Sequence, residues 1–389
     1  MQLAPARFRA ILSCCAVALA LFHSPDDARA TGIRVLHNFC NGVSVFTADC
    51  SQGANPRTSL IADSDGNLYG TTFDRGLPGC NEDQGCGSVF KLAPDGTFSV
   101  LYRFTGGNDG GEPWGSLIRD AGGNLFGTTT AGGAHNVGVI YKLAPDGTET
   151  VLHDFGGASA APWGSLLPDA NGNLYGVARG GNGTVYKLAP DGTFTVLHTF
   201  CSNCSDGQNP NGDLVGDAQG NLYGTTQYGG SGGLIGAGTL FRIAPDGTET
   251  ILWNFCSVGD CADGEFPMAG LIRDGAGNLY GTTDYGGNPV GEVFKFAPDG
   301  TLSVLYGFSD HGDGINPQTR LAMGADGSLY GTTLNSVFKL APDGTFAALR
   351  YTGPQYEYRS TLIVDAHNNL FGTLPGGFTR GGNVYEIKQ

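Results

Sequence analysis

The hexapeptide Asn67-Leu-Tyr-Gly-Thr-Thr72 sets the pattern of the whole chain, because six related copies follow it. Some copies carry Phe in place of Tyr, Ser in place of Asn, or other residues in place of Thr-Thr. Their glycines are Gly70, Gly127, Gly176, Gly224, Gly281, Gly331 and Gly372. Neighbouring glycines lie between 41 residues (331 to 372) and 57 residues (70 to 127) apart. Self-similarity at a period of this size indicates a protein built from structural repeats.

Around each hexapeptide the sequence predicts four short strands. In the first complete unit these are strand A at 59–62, strand B at 67–72, strand C at 88–92 and strand D at 98–104. The C–D turn Ala93-Pro-Asp-Gly96 recurs in later units, where Pro presets φ and Gly closes the hairpin. Radially repeated four-strand units predict an all-β fold, a seven-bladed β-propeller. A β-solenoid is the alternative, but it does not explain the hairpin turns.

The two ends of the repeat region predict how the ring closes. The seventh unit stops after its strand C, at 383–387. The segment Ile33-Arg-Val-Leu-His-Asn-Phe39 instead matches strand D of other units, such as Thr150-Val-Leu-His-Asp-Phe155. We therefore expect the N-terminal strand to complete the last blade, because this pairing buries both terminal edges. Residues 31–389 are then one propeller domain.

The first 30 residues have the layout of a secretory signal peptide. Arg7 and Arg9 precede an apolar run over residues 10–22, and Ala28-Arg29-Ala30 offers small residues at a cleavage site. The apolar run is too short to span a bilayer. A membrane anchor is the alternative. We expect a secreted protein, extracellular or periplasmic, with no membrane span and a monomeric state.

Composition narrows the classes of partner. The 389 residues include 21 Lys+Arg and 36 Asp+Glu, which gives a net charge of −15. Binding to phosphates needs clustered cations, so we exclude nucleic acids and anionic membrane surfaces as partners. A Gly content of 66 suits a disordered chain, but 22 Phe, 15 Tyr and a 40% hydrophobic share predict a packed core.

The cysteines predict local disulfides. Of the 10 cysteines in the chain, Cys14 and Cys15 lie in the leader, and the other eight form four close pairs. In an exported protein such pairs are typical of disulfides. The expected bonds are Cys40–Cys50, Cys80–Cys86, Cys201–Cys204 and Cys256–Cys261. The Cys-x-x-Cys pair also resembles half a zinc site or a redox dithiol, although no second such pair accompanies it. We predict no metal and no cofactor.

The connections between strands differ from one face of the ring to the other. The A–B and C–D turns are short and uniform, whereas the B–C and D–A loops are long and variable. Binding residues lie preferentially on such loops. The D–A loops share a motif exemplified by Asp206-Gly-Gln-Asn-Pro210. We interpret it as turn chemistry. The alternative is a set of carboxylates that holds a cation or acts as acid and base.

Residues that depart from the repeat are the candidates for ligand binding. Trp114 and Trp163 follow the loop prolines of adjacent units, where an aromatic ring suits contact with a sugar or a peptide. Arg179 stands where most units have a small or aromatic residue, and His135 and His311 lie in variable loops. His and Arg beside acidic loops suit general acid–base work. Packing between blades, or solvation on a loop, is the alternative for each of them.

The recurring Asn-Leu-Tyr-Gly-Thr-Thr, Val-Phe-Lys-Leu-Ala-Pro-Asp-Gly-Thr and Asp-Gly-x-Asn-Pro motifs resemble the GloVer repeats (Gloeobacter–Verrucomicrobia repeats) of exported bacterial proteins. The resemblance covers about residues 33–389. It implies an exterior location and supplies no catalytic residues. The Asp-x-x-Gly-Asn-Leu-Tyr motif is also similar to NHL-type propellers. Lactonase-type propellers hold a metal in the channel with acidic and Asn ligands, and the sequence contains no matching set.

Two functional hypotheses follow from the sequence. The first is a non-enzymatic exported propeller that binds a glycan or a protein through its loop-rich face. The second is an extracellular carbohydrate-active enzyme (a polysaccharide lyase or hydrolase) or a lactonase, with its site at the channel mouth. The sequence contains no Gly-x-Ser-x-Gly, His-Glu-x-x-His or phosphate-loop motif. Two carboxylates, or a His–carboxylate pair, converging at the channel would favour the enzyme.

Overall fold

The computed structural model describes residues 32–40, 50–77, 85–200, 205–231, 236–287, 290–309, 311–351, 360–376 and 381–389. The described residues form strands β1 to β29, which assort into seven antiparallel sheets. Helix is confined here to the short 3-10 turns Gly157–Ser159 and Gly259–Cys261. The predicted seven-bladed propeller is confirmed.

Each blade uses consecutive strands, except the last, which also takes the first strand of the chain. Blade 1 contains β2 (Ile61–Ala62), β3 (Leu68–Thr72), β4 (Ser88–Leu92) and β5 (Phe98–Arg103). Blade 2 contains β6 (Gly111–Pro113), β7 (Ile118–Arg119), β8 (Leu125–Ala131), β9 (Val139–Leu143) and β10 (Glu149–Asp154). Blade 3 contains β11 (Pro162–Pro168), β12 (Leu174–Ala178), β13 (Thr184–Leu188) and β14 (Phe194–Thr199). Blade 4 contains β15 (Gln208–Gly216), β16 (Leu222–Tyr228), β17 (Thr239–Ile243) and β18 (Glu249–Asn254).

The remaining blades follow the same order. Blade 5 contains β19 (Ile272–Arg273), β20 (Leu279–Thr283), β21 (Glu292–Phe296) and β22 (Leu302–Gly307). Blade 6 contains β23 (Ala322–Met323), β24 (Leu329–Thr332), β25 (Ser336–Leu340) and β26 (Phe346–Tyr351). Blade 7 contains β27 (Ile363–Val364), β28 (Leu370–Leu374), β29 (Asn383–Ile387) and β1 (Ile33–Asn38).

The ring closes through the N-terminal strand, as the sequence predicted. Strand β1 pairs with β29 in antiparallel register from Ile33↔Ile387 to Asn38↔Asn383. A bulge between Val35 and His37 interrupts the register, and outer strands of other blades carry a bulge at the corresponding place. Blade 7 therefore has four strands like its neighbours, with the order β1-β29-β28-β27.

The repeated glycine makes room for an aromatic ring on the third strand of its own blade. A Cβ added at Gly70 would lie 2.6 Å from the Phe90 ring, and a Cβ at Gly281 would lie 2.6 Å from Phe294. The aromatic residue at this position is buried in every blade. The seven rings are Phe90, Tyr141, Tyr186, Phe241, Phe294, Phe338 and Tyr385. Glycine recurs because any side chain would displace the ring that fills the blade interface.

The polar residues of the hexapeptide bind the turn before it and the next blade. In blade 1, the Asn67 amide and the Tyr69 hydroxyl both donate to Asp63, at 2.9 Å. Burial opposes ionisation of Asp63, but these and two backbone donors lower its pKa to about 2. The first Thr reaches the following blade: Thr373 Oγ1 donates to the Thr58 carbonyl, at 3.1 Å. The motif thus builds both the turn and the contact between blades.

Two of the four expected disulfides lie within the described residues, and both are confirmed. These are Cys40–Cys50 and Cys256–Cys261. Cys86 is also disulfide-bonded. Cys80, Cys201 and Cys204 lie outside the described residues, as do residues 1–30 with the expected leader.

Within the described residues, no helix is long and apolar enough to cross a bilayer.

Candidate functional site

A cavity of about 350 Å³ opens at the centre of the ring, where all seven blades meet. Its wall is formed by the three residues that follow the loop proline in each of the first six blades, together with Arg179 and Thr361. These triplets are residues 57–59, 114–116, 163–165, 211–213, 268–270 and 318–320. Each triplet follows a D–A loop directly, so the cavity lies on the loop-rich side of the ring. Its volume is in the range of small-ligand sites, roughly 300–1,000 Å³.

Four side chains on the cavity wall form a continuous stack, which we call the indole–guanidinium stack. Arg57 lies 5.7 Å from the Trp114 ring centroid, and Trp114 lies 4.3 Å from Trp163 at an interplanar angle of 34°. Arg179 lies 3.9 Å from the Trp163 centroid. Aromatic pairs and cation–π contacts each contribute about 0.5–1.5 kcal/mol. The stack runs across blades 1, 2 and 3 along one side of the cavity.

The two tryptophans lie both at a contact between blades and on the cavity wall. Trp114 and Trp163 belong to adjacent blades and pack against each other, as the packing alternative expected. They also line the cavity, and their role in binding stays a prediction. Their ring faces are largely used within the stack. Trp253 donates its Nε1–H to Asp263, whereas the indole N–H groups of Trp114 and Trp163 have no hydrogen-bond partner among the described residues.

Strand register places Arg179 over Trp163. Trp163 pairs with Val177 across β11 and β12, and Pro162 pairs with Ala178. Arg179 directly follows this pairing, and its backbone N–H donates to the Ala161 carbonyl at 3.0 Å. The hairpin thus fixes both ends of the guanidinium–indole contact.

Arg179 is held as a cation without a carboxylate partner among the described residues. Its Nη2 donates to Asn211 Oδ1, and its Nε is buried without a hydrogen-bond partner. Burial lowers the pKa of Arg179 to about 10, while the nearby Tyr228 opposes this shift. The side chain therefore stays charged at neutral pH. A partly buried charge without a counter-ion is costly unless a ligand supplies one.

Deeper in the cavity, hydrogen bonds link one blade to the next. The Ser59 N–H donates to Ser116 Oγ and the Ser116 N–H donates to Ser165 Oγ, both at 3.0 Å. The Ser165 N–H in turn donates to Asp213 Oδ1, at 2.6 Å. Arg320 of blade 6 reaches the other oxygen of Asp213, at 3.1 Å. Each oxygen of the Asp213 carboxylate thus accepts from a protein donor.

Arg57 lies among carboxyl groups that the sequence analysis did not single out. Asp74 is 8% exposed and accepts a hydrogen bond from Asn55 Nδ2 at 2.7 Å. Burial raises the pKa of Asp74, while the Asn55 hydrogen bond, Arg75 and Arg57 lower it. Burial and the negative charge of Asp74 raise the pKa of Glu112, and Arg57 opposes this shift. The charge of Arg57 is therefore partly compensated within the protein.

The two candidate histidines lie away from the cavity wall. His135 is 66% exposed at its side chain and sits 3.7 Å from Asp154. His311 is exposed, and its backbone N–H donates to Asp313. Neither residue belongs to the described lining. The structure thus brings together Trp114, Trp163 and Arg179 but not His135 and His311.

The aspartates of the D–A loops bind their own loops, in agreement with turn chemistry. Asp313 accepts hydrogen bonds from the Tyr306 hydroxyl at 3.0 Å and from the Ser309 N–H at 2.9 Å. The pair His198–Asp206, at 3.2 Å, occupies the equivalent place in blade 3. It therefore represents the same contact between an outer strand and its loop. These residues are not among the described lining of the cavity.

The described residues contain one group with the spacing of metal ligands, Cys256, Cys261 and Glu265. The two cysteines are bonded to each other, so their sulfurs are not available as thiolate ligands.

Glu292 gives the blade 5 interface a pH dependence. It is 2% exposed, and its Oε2 has no hydrogen-bond partner among the described residues. Burial, and then the nearby Asp263 carboxylate, raises the pKa of Glu292 to about 7 from an ordinary value of 4.5. The folded state binds the proton more tightly than the unfolded chain, so stability falls as pH rises between these two values.

We expect Glu292→Gln to stabilise the protein at pH 8 by about 1–3 kcal/mol, because it removes the cost of ionising a buried acid. At pH 4.5 or below the same substitution should change the melting temperature little. Thermal melts at the two pH values check this. An equal gain at both would mean that packing, and not charge, is responsible.

The sequence contains a signal for the polar residues of the cavity wall, in addition to the two tryptophans and Arg179. Along an extended segment, side chains alternate, so residues one and three positions after each loop proline face the same way. Reading these positions across the units gives the polar lining that was missed. The missed residues are Arg57, Ser59, Ser116, Ser165, Asn211, Asp213, Gln318 and Arg320.

Comparison with solved structures agrees with the fold. The chain is similar to catalytically inactive virginiamycin B lyase from Staphylococcus aureus with quinupristin, with a TM-score of 0.64, 13% identity and coverage of 92% of this chain and 100% of that chain. A streptogramin B lyase is similar with a TM-score of 0.62 and 14% identity, over 92% of this chain and 98% of that chain. The extracellular domain of a B. thetaiotaomicron protein is similar with a TM-score of 0.59 and 13% identity, over 90% of this chain and 40% of that chain. At these identities the similarity shows the propeller fold alone.

Comparison by sequence identifies the family. A search of curated proteins gave no match. The family model described as the Gloeobacter/Verrucomicrobia repeat matches residues 30–234, 161–336 and 231–389, which together span the described propeller. The chain therefore belongs to the Gloeobacter/Verrucomicrobia repeat family.

Proposed function

We propose that this protein is an exported binding module that takes a glycan into the mouth of its central channel. The observation that carries the proposal is the indole–guanidinium stack on the wall of a central cavity. Tryptophan and arginine are the residues most enriched where binding energy concentrates. Side chains that depart from a repeat, and converge from separate blades on one cavity, are better explained by a ligand than by the needs of the fold.

The polar lining suits a ligand rich in hydroxyl groups. Ser116 and Ser165 present short polar side chains, and Gln318 presents an amide oxygen on the same wall, since its Nε2 donates to Asp284. Such a combination of aromatic rings and convergent polar groups fixes the orientation of a ligand in a partly apolar pocket. A sugar has the many hydroxyl groups that these polar side chains can bind.

The lining is a weaker match to the enzyme hypothesis. Among the described lining residues Asp213 is the single carboxylate, and it is engaged by Ser165 and Arg320. Glycoside hydrolysis uses a pair of carboxyl groups in most families. The similar virginiamycin B lyase was solved as a variant made catalytically inactive by replacing a histidine with alanine. The described lining of this cavity contains no histidine. We therefore place binding before catalysis.

A glycan array probed with the purified protein tests the proposal. We expect a defined group of oligosaccharides to bind, and calorimetry on the hits should give one site per chain. Hydrolase and lyase assays on the same hits should show no product. Absence of binding across neutral, uronate-containing and sulfated glycans would contradict the proposal, and turnover of a hit would replace it with the enzyme hypothesis.

A further inference from the structure

We infer that the ligand of the central cavity is an anionic sugar, whose carboxylate or sulfate ester sits against Arg179. This inference rests on the proposed function and names the class of glycan. It follows from the hydrogen-bond donors on the cavity wall, and from the position of one arginine that has no counter-ion among the described residues.

The side chains of the stack offer hydrogen-bond donors to the cavity, and two acceptors of the wall are already used within the protein. Arginine and tryptophan side chains donate hydrogen bonds and accept none. Asp213 accepts from Ser165 and Arg320, and the Asn211 oxygen accepts from Arg179. The indole N–H groups of the stack have no partner among the described residues. A ligand that supplies acceptors therefore complements the stack, and anionic oxygens are the strongest acceptors.

Charge distinguishes Arg179 from the other two arginines of the wall. Arg320 is paired with Asp213 at 3.1 Å, and Arg57 interacts with Asp74 and Glu112. Arg179 has no carboxylate partner among the described residues, and burial places it in a medium of lower dielectric constant than water. An anionic group bound here regains the interaction that the side chain lost by leaving water. The planar guanidinium suits a carboxylate or a sulfate because both present two oxygens side by side.

The negative charge of the rest of the chain disfavours binding of an anion elsewhere on the protein. The net charge of the protein is −15, so anions are repelled from most of its surface. On the face opposite the cavity, turn aspartates such as Asp63, Asp120 and Asp169 are held ionised by their Asx-turn hydrogen bonds, which outweigh the opposing effect of burial on the pKa of each. An anionic sugar is therefore favoured at the loop-rich mouth of the channel over the opposite face.

The test compares matched pairs of ligands and matched pairs of variants. Each uronate hit of the array is measured beside its carboxyl-reduced form, and each sulfated hit beside its desulfated form, by calorimetry. We expect the anionic member of one pair to bind at least tenfold more tightly, and that pair identifies the anion. Arg179→Gln should remove the difference and Arg179→Lys should keep part of it. Arg273→Gln, an exposed substitution of equal charge on the opposite face, should leave binding unchanged.

A second measurement does not depend on any variant. Raising sodium chloride from about 50 to 500 mM should weaken binding of the anionic sugar and leave its neutral analogue unaffected, because salt screens the charge interaction. Equal binding of both members of every pair, or hits among neutral glycans only, would overturn the inference and leave the proposed function standing. No hit of any class would overturn both.

Discussion

Removal of residues 33–39 is expected to leave no stable propeller under conditions in which the intact protein is folded. Strand β1 supplies the whole outer edge of blade 7 and pairs with β29 along its length. Its end also packs into blade 1: Phe39 is 2% exposed and lies 5.2 Å from the Phe90 ring. Deletion therefore opens the ring and empties a pocket between blades 7 and 1. The loss should approach the whole stability of an ordinary domain, about 5–15 kcal/mol.

Two point substitutions in the deleted segment give this prediction a graded form. Phe39→Ala should cost about 3–5 kcal/mol, as for other buried aromatic residues. Val35→Ala is the matched control, since Val35 is 46% exposed, and it should change stability by less than about 0.5 kcal/mol. Thermal melts and analytical gel filtration measure all three proteins. A deletion variant that remains monomeric with an unchanged melting temperature would show that β1 does not close the ring.

The repeat made the fold predictable because each repeated residue has a local reason. Gly70 is required by the ring of Phe90, and Asn67 by the carboxylate of Asp63, and both partners lie within the same unit. The glycine–ring contact recurs in every unit and the Asn–Asp contact in all but the sixth, where Ser328 binds Asp326 instead, so both stand out in the sequence. The expected third strand, Ser88–Leu92, was found with the same bounds. The first strand of blade 1 was expected at 59–62 but spans only Ile61–Ala62. The Ser59 N–H donates to Ser116 Oγ of the next blade instead of pairing within its own sheet.

The candidate site was less predictable because its contacts join different units. Arg320 and Asp213 belong to blades 6 and 4 and meet only because the ring closes around an axis. The sequence marked Trp114, Trp163 and Arg179 as departures from the repeat, and these three are in contact. It gave no sign that the indole faces would be occupied by each other and by a guanidinium. His135 and His311 were equally unusual in sequence, but their loops hold them outside the described lining.

Trp163→Ala is expected to reduce ligand binding at least a hundredfold and to cost only about 1–3 kcal/mol of stability. Trp163 stands in the middle of the stack, between Trp114 at 4.3 Å and Arg179 at 3.9 Å. Its loss removes the surface that orients the guanidinium as well as one indole donor. Truncation of a central tryptophan in a binding site commonly costs 2 kcal/mol or more of binding energy, about thirtyfold, and here two further groups are released at once. Because Trp163 is only half-buried, the stability cost stays below that of a core residue.

The third tryptophan of the chain provides the matched control. Trp253 lies on β18 and donates to Asp263 in a loop, outside the described lining of the cavity. Trp253→Phe should therefore lower stability and leave affinity unchanged. In that variant the remaining tryptophan fluorescence comes from Trp114 and Trp163 alone, so a ligand that enters the cavity should change it. Two results together would contradict the binding role. Trp163→Ala would lower the melting temperature as much as Phe39→Ala does, and a bound ligand would leave the fluorescence of Trp253→Phe unaltered. The two indoles would then serve the contact between blades, and the binding site would lie elsewhere.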